Sequence, residues 1–171
     1  YSVYGKAKLL STKMLLKFHK DYNFPATIIR LYLVYGPKQD TNRLIPITII
    51  NALKKNKFDC SHGNQIRDFI HVSDVVRSII KVLKHKKSKG QIFNIGSGKQ
   101  IKVKEIINKI CKIVGSGEPK FGKIKIRKDE ISKLYPSINK AKKILKWKPR
   151  IELDDGLKKT INYYILNGKS Y

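Results

Sequence analysis

The sequence predicts an α/β fold in which helices alternate with strands that are at least partly parallel. Three observations carry this. Residues 26–34, ATIIRLYLV, form a continuous apolar and β-branched run, the pattern of a strand buried on both faces. The segment before it places Ala7, Leu10, Met14, Leu15 and Phe18 at helical spacing. Strand-like and helix-like segments then keep alternating to the end of the chain, which calls for crossover connections and parallel pairing.

Each element follows from its local pattern. The first helix is expected from Tyr4 to Tyr22, since Pro25 blocks its continuation. Tyr35-Gly36-Pro37 ends the strand in a loop. Leu44 to Leu53 reads as a helix that tolerates Pro46 in its first turn. Lys57 to Cys60 reads as a short strand, and Gly63-Asn64 as a turn. Phe69 and Ile70 form a brief extended piece. Ser73 or Asp74 is then expected to cap a helix holding Val75, Val76, Ile79, Ile80 and Leu83. A charged loop from Lys84 to Lys89 leads to a strand from Gln91 to Ile95. The triplet Gly96-Ser97-Gly98 lacks the Walker and triple-glycine spacings, so it reads as a plain strand-to-helix turn. Val103 to Val114 is an amphipathic helix closed by Gly115. Ser116 to Gly122 reads as loop, and Lys123 to Arg127 alternates Lys and Ile as an edge strand would. Two final helices, Asn139 to Leu145 and Leu153 to Leu166, flank Trp147 and Pro149, with Trp147 expected in the core.

Composition narrows the function classes. The 171 residues are enough for a compact core, and a 41% hydrophobic content excludes a disordered tail. No apolar run approaches the roughly 20 residues of a membrane helix, and no signal peptide opens the chain. Cys60 and Cys111 form no C-x-x-C pair, and His19, His62, His71 and His85 form no H-E-x-x-H motif. Neither a metal site nor a disulfide framework is expected, and free thiols fit a cytoplasmic location. The formal net charge of +26 comes from 38 basic residues, only six of them Arg, spread along the whole chain. Base-reading surfaces favour Arg and interleaved aromatics, so nucleic acid is disfavoured as the partner. A basic surface does attract a phosphate-bearing substrate. The opening YSVYGKAK, with Tyr1 first, reads as the interior of a longer protein.

Chemistry concentrates at Tyr4 and Lys8, four apart on one helical face. A phenol has an ordinary pKa near 10, and a neighbouring ammonium favours its phenolate. Such a pair can move a proton at a sugar hydroxyl, and the Lys can donate to ribose hydroxyls. His71 reads as a packing or hydrogen-bonding residue at a helix entry.

The order YGKAK, IIRLYLVYGP, RLIP, GNQIRDFIHVSDV, FNIGSG, ILKWKP covers nearly the whole chain. It resembles the NAD-dependent epimerase/dehydratase branch of the extended short-chain dehydrogenases/reductases. The resemblance implies the C-terminal part of a Rossmann-type parallel sheet plus a small α/β substrate-binding region. Residues 1–38 would end the dinucleotide-binding domain. Residues 39–171 would be mainly substrate-binding, with residues about 66–95 returning to the sheet. It implies NAD or NADP as cofactor and a nucleotide diphosphate sugar as substrate. The full-length protein would form a homodimer through the helix carrying Tyr4 and the one before it.

Position by position, the resemblance makes Tyr4 the acid/base and Lys8 its partner and a ribose ligand. Leu31, Leu33 and Val34 would lie beside the nicotinamide. Leu33 stands where many relatives have an Asn that contacts the substrate phosphates, so backbone groups would serve there. Leu44, Ile45, Pro46, Phe58 and Cys60 would line the nucleotide pocket. Arg67 would hold the diphosphate, a task that suits a guanidinium, with Arg127 a second candidate. The glycine-rich dinucleotide fingerprint is not in this sequence, so the chain by itself is expected to lack turnover, bind cofactor poorly and tend to aggregate. The implied reaction passes through a 4-keto sugar, leading to epimerisation, dehydration or 4-keto reduction. Two other readings remain: a non-catalytic basic nucleic-acid-binding module, and a family member that keeps the fold without the activity.

Overall fold

The computed structural model describes residues 2–127 and 129–167. Helix α1 (Val3–Tyr22) is capped by Ser2, whose Oγ accepts from Gly5 N at 3.1 Å, and ends at Asn23 in the left-handed region. It buries none of its residues. Strand β1 (Thr27–Leu31) pairs in parallel with β6 (Gln91–Ile95), Thr27 opposite Gln91 and Leu31 opposite Ile95. The expected single strand over 26–34 is in fact two. At Tyr32 the chain changes partner, and β2 (Leu33–Tyr35) pairs in parallel with β5 (Phe69–His71). The run is also less buried than its composition predicts, with Leu31 47% and Leu33 41% exposed. Among the described residues β1 has a ladder partner on one edge only, which leaves part of its apolar surface uncovered.

Helix α2 (Leu44–Leu53) has the expected bounds. Strand β3 (Lys57–Asp59) pairs in parallel with β8 (Glu118–Lys120), a strand inside the segment read as loop. The expected edge strand over 123–127 is not formed. The ladder falls instead on β9 (Lys133–Leu134), which joins β4 (Ile66–Arg67), itself antiparallel to β7 (Ile101–Lys102). These pairings link residues far apart in sequence, so no local pattern announces them.

Helix α3 (Val72–Lys84) starts earlier than expected: His71 is the cap, and its Nδ1 accepts from Ser73 N at 3.2 Å. Asp74 is instead fully buried and spent on a distant loop. Its carboxylate accepts from Arg150 N at 2.9 Å and Ile151 N at 3.0 Å and pairs with Arg77. Trp147 donates from Nε1 to the carbonyl of Asp74 at 3.2 Å and is 2% exposed, the core anchor the sequence implied. Helices α4 (Val103–Val114), α5 (Asn139–Leu145) and α6 (Leu153–Leu166) complete the chain.

Two apolar clusters hold these elements. In one, α4 presents Val103, Ile106, Ile107 and Ile110 to Ile45 and Ile49 of α2 and to Leu157 and Ile161 of α6. Each such side chain stabilises the fold by about 1.5–3 kcal/mol relative to exposure. The other gathers Ile70, Val75, Phe93, Ile95, Leu145 and Trp147. The turn after β6 is tied down by Asp68, which accepts from Ser97 N and Gly98 N, both at 2.6 Å. Gly96 permits this approach, because a Cβ there would lie 2.9 Å from Asp68 Oδ1 and 2.5 Å from Pro136 Cγ. Two of the turn's amides are thus engaged, in keeping with the plain-turn reading of Gly96-Ser97-Gly98.

Candidate functional site

A cavity of about 430 Å³ opens between α2, β3, β4 and α4. Its apolar wall is made by Leu33, Leu44, Ile47, Phe58, Ile107 and Ile124. Its polar side comprises Asn51, Asp59, Gln65, Arg67 and Glu130. Arg67 reaches it from the short strand β4, which fixes its backbone between β7 and β9. The residue is 6% exposed, its Nη1 donates to the carbonyl of Ile66 at 2.8 Å, and its Nη2 donates to Glu130 Oε1. A buried guanidinium at one end of an apolar chamber is suited to a planar or tetrahedral oxyanion. The buried Oε1 of Gln65 lines the same chamber without a hydrogen-bond partner among the described residues, and so offers an acceptor to a ligand donor.

Leu33 is shared with a neighbouring cleft of about 260 Å³ lined by Leu31, Tyr32, Arg67 and Leu134. That cleft joins the end of β1 to the Arg67 guanidinium. Burial first, then the nearby Cys111 and Asp59, push the Cys60 thiol up, so it lines the chamber as a neutral group and not as a nucleophile.

Tyr4 and Lys8 lie together on α1, with Lys8 Nζ 5.5 Å from the centroid of the Tyr4 ring. Tyr4 is 72% exposed. Neither lines the chamber at Arg67. Of the expected pocket residues, Leu33, Leu44, Phe58, Cys60 and Arg67 are brought together there. Ile45 is core at 2% exposure, and Pro46 is buried outside the chamber lining. The lining stripe of α2 runs Leu44, Ile47, Thr48, Asn51 instead, the i, i+3, i+4 spacing of one helical face. Arg127 is exposed and is not part of the lining. Val34 packs against the cluster around Phe93, and Leu31 stands at the cleft. Glu130 and Gln65 were not foreseen. Glu130 carries only one sequence signal, an acid in a Lys-rich segment.

His71 is buried, T-shaped against Tyr35 with centroids 5.4 Å apart. Burial, with Lys159 and Arg77 adding to it, holds its pKa below the usual value. It is a neutral helix cap, as expected of a packing residue. No group of three or more His, Cys, Asp or Glu among the described residues is arranged to hold a metal, and no described helix is long and apolar enough to cross a membrane.

The GDP-mannose 4,6 dehydratase family model matches residues 1–160. A putative UDP-glucose 4-epimerase of Methanocaldococcus jannaschii is 33% identical over 174 residues, covering 99% of this chain and 55% of that protein. The crystal structure of Thermotoga maritima UDP-glucose 4-epimerase with UDP-glucose has a TM-score of 0.89 at 30% identity, over 96% of this chain and 53% of that one. The Bacillus anthracis dTDP-glucose 4,6-dehydratase in complex with NAD has a TM-score of 0.90 at 26% identity, over 100% of this chain and 54% of that one. The chain spans about half the length of these relatives. The sheet pairing, the sequence and the matched neighbours lead to one conclusion: the chain belongs to the GDP-mannose 4,6 dehydratase family of NAD-dependent nucleotide-sugar epimerases and dehydratases.

Proposed function

We propose that this chain forms the catalytic-tyrosine and nucleotide-sugar-binding part of an NAD(P)-dependent nucleotide-sugar enzyme that works through a 4-keto sugar. The observation that carries the reading is Arg67, a buried guanidinium lining a 430 Å³ chamber. In this reading the nucleoside occupies the apolar wall between Leu44 and Phe58, and the diphosphate lies on Arg67. Glu130 then exchanges its guanidinium contact for one to the ligand. Leu33, common to the chamber and the cleft beside it, marks the path along which the sugar reaches the end of β1.

Tyr4 takes the proton from the sugar's 4-hydroxyl as its carbon is oxidised to the ketone, and returns it when the ketone is reduced. Lys8 stabilises the phenolate and donates to ribose hydroxyls. The nicotinamide cofactor, when bound, supplies the hydride acceptor. The residues present fit the nicotinamide end of that cofactor: two polar side chains together on one exposed face of α1, and Leu31 and Leu33 exposed at the strand ends. A segment that cradles its pyrophosphate is required in addition. In this reading β1 and β6 belong to the dinucleotide-binding sheet, and residues 39–171 form mainly the substrate region.

The surface of α1 supports that division. Leu10 and Met14 are 65% and 61% exposed, and the open edge of β1 lies unpaired among the described residues. A helix and strand edge of this kind need a second α/β unit to cover them. The 171-residue chain alone is accordingly without turnover and prone to aggregate.

The test is Tyr4→Phe in the chain joined to a dinucleotide-binding half. Turnover should fall by a factor of about 10²–10⁴ while the nucleotide-sugar affinity stays the same. Unchanged turnover would remove Tyr4 from the reaction.

A further inference from the structure

A second concave site lies at the Trp147 loop and shares no lining residue with the Arg67 chamber. Its volume is about 370 Å³, within the range of small-ligand pockets. Six of its seven lining residues are cations: Arg77 and Lys81 of α3, Lys142 of α5, then Lys146, Lys148 and Arg150. The seventh is Trp147. Two separate stretches of chain, 77–81 and 142–150, therefore deliver positive charge to one hollow.

The scaffold beneath is tied together by hydrogen bonds. Buried Asp74 pins the loop through the amides of Arg150 and Ile151, Trp147 is held to the carbonyl of Asp74, and Lys81 Nζ donates to the carbonyl of Lys146 at 3.1 Å. Among the described residues Asp74 is the one acid paired with a lining residue, and it is already engaged by Arg77 and two backbone amides. Arg77 and Lys81 are engaged within the protein, and the like charges of the residues lining the hollow repel each other, a repulsion that a multiply charged anion relieves.

We propose that this hollow binds a chain of phosphoryl groups, supplied either as inorganic polyphosphate or as the triphosphate of a nucleotide. The geometry favours the phosphates over a base. Trp147 is 2% exposed, so the hollow presents no aromatic face for a base to stack on. The six cationic residues line one pocket, which suits a short oligophosphate better than a nucleic-acid strand.

Trp147 is the sole tryptophan of the chain, so its emission reports on this hollow directly. The 171-residue protein, at a concentration where light scattering shows it monomeric, is titrated with inorganic tripolyphosphate and, separately, with ATP at about 150 mM salt, where long-range attraction is screened. Binding is followed by calorimetry and by Trp147 emission. The expected result is saturable binding of both probes with similar affinity, accompanied by a change in emission. The triple variant Lys142→Gln/Lys148→Gln/Arg150→Gln should weaken it by about tenfold or more. An equal charge reduction elsewhere, Lys54→Gln/Lys112→Gln/Lys158→Gln, should leave it within about twofold. Arg67→Ala should not alter the emission response, which separates this site from the proposed nucleotide-sugar chamber. The proposal fails if neither probe binds, if binding leaves Trp147 emission unchanged, or if the two triple variants weaken it equally. It also fails if ATP or a random oligonucleotide binds far more tightly than tripolyphosphate, which would mean base or strand recognition.

Discussion

Arg67 and Glu130 are 63 residues apart in sequence, yet the guanidinium donates to the Glu130 carboxylate at the polar end of the 430 Å³ chamber. The pair ties Glu130 to strand β4. It also makes Arg67 an anion holder whose internal partner can be displaced.

Arg67→Ala should lower the affinity of the chain for a nucleoside diphosphate by about 1.5–3 kcal/mol, the range for a hydrogen bond to a charged group. Arg67→Lys should recover only part of it, because an ammonium cannot reproduce the two-pronged geometry. Calorimetric titration with UDP and dTDP measures both, and a thermal melt checks that the fold persists. Equal affinity in all three proteins would remove Arg67 from the site.

Gly156 and Tyr35 make a second close relationship. A Cβ at Gly156 would lie 2.2 Å from Tyr35 Oη, and Tyr35 is 2% exposed with its hydroxyl donating to the carbonyl of Leu153 at 3.4 Å. Gly156→Ala should therefore destabilise the chain by about 1–3 kcal/mol, the usual cost of overpacking. In a Tyr35→Phe background the same change should cost less, because the obstructing oxygen is gone. A double-mutant cycle from urea denaturation gives the coupling.

Asp74→Ala leaves Arg77 and the amides of Arg150 and Ile151 without their buried acceptor. The expected loss is about 3–5 kcal/mol, as for breaking a buried pair on one side. Because Trp147 is bonded to the carbonyl of the same residue, its emission should shift to the red as the loop loosens. A variant with native stability and emission would show that the loop is held by packing alone.

His71 gives a pH dependence whose sign is fixed by burial. Its pKa is held below the ordinary 6.5, so the unfolded chain binds a proton at a higher pH than the folded one. Its contribution to stability is complete above about pH 6.5 and is lost as the pH falls toward the depressed value. Urea midpoints between pH 8 and pH 5 should drop on the acid side. His71→Asn keeps a side-chain acceptor for Ser73 N without titrating, and should flatten that part of the curve.

Helix positions were the most legible feature of the sequence. The bounds of α2, α4, α5 and α6 follow from apolar spacing and end residues, since each helix depends on neighbours three and four apart. The same rule put Tyr4 and Lys8 side by side. The cap of α3 was misread because Asp74, a good capping residue, is bonded to a loop 76 residues away. The strand over residues 26–34 read as one because composition reports apolarity and not ladder partners, and the change of partner at Tyr32 is written in strands some 36 and 64 residues further on.

By itself the sequence determined the α/β order, the paired phenol and ammonium, and the family, because each rests on neighbours in the chain or on motifs in series. Only the tertiary structure decided which face of α2 lines the chamber, that Glu130 sits on Arg67, and that six cations from two distant stretches line one hollow with Trp147. Those relationships depend on contacts between residues distant in sequence. Folding brings them within bonding distance through cores and ladders that no single stretch of chain encodes.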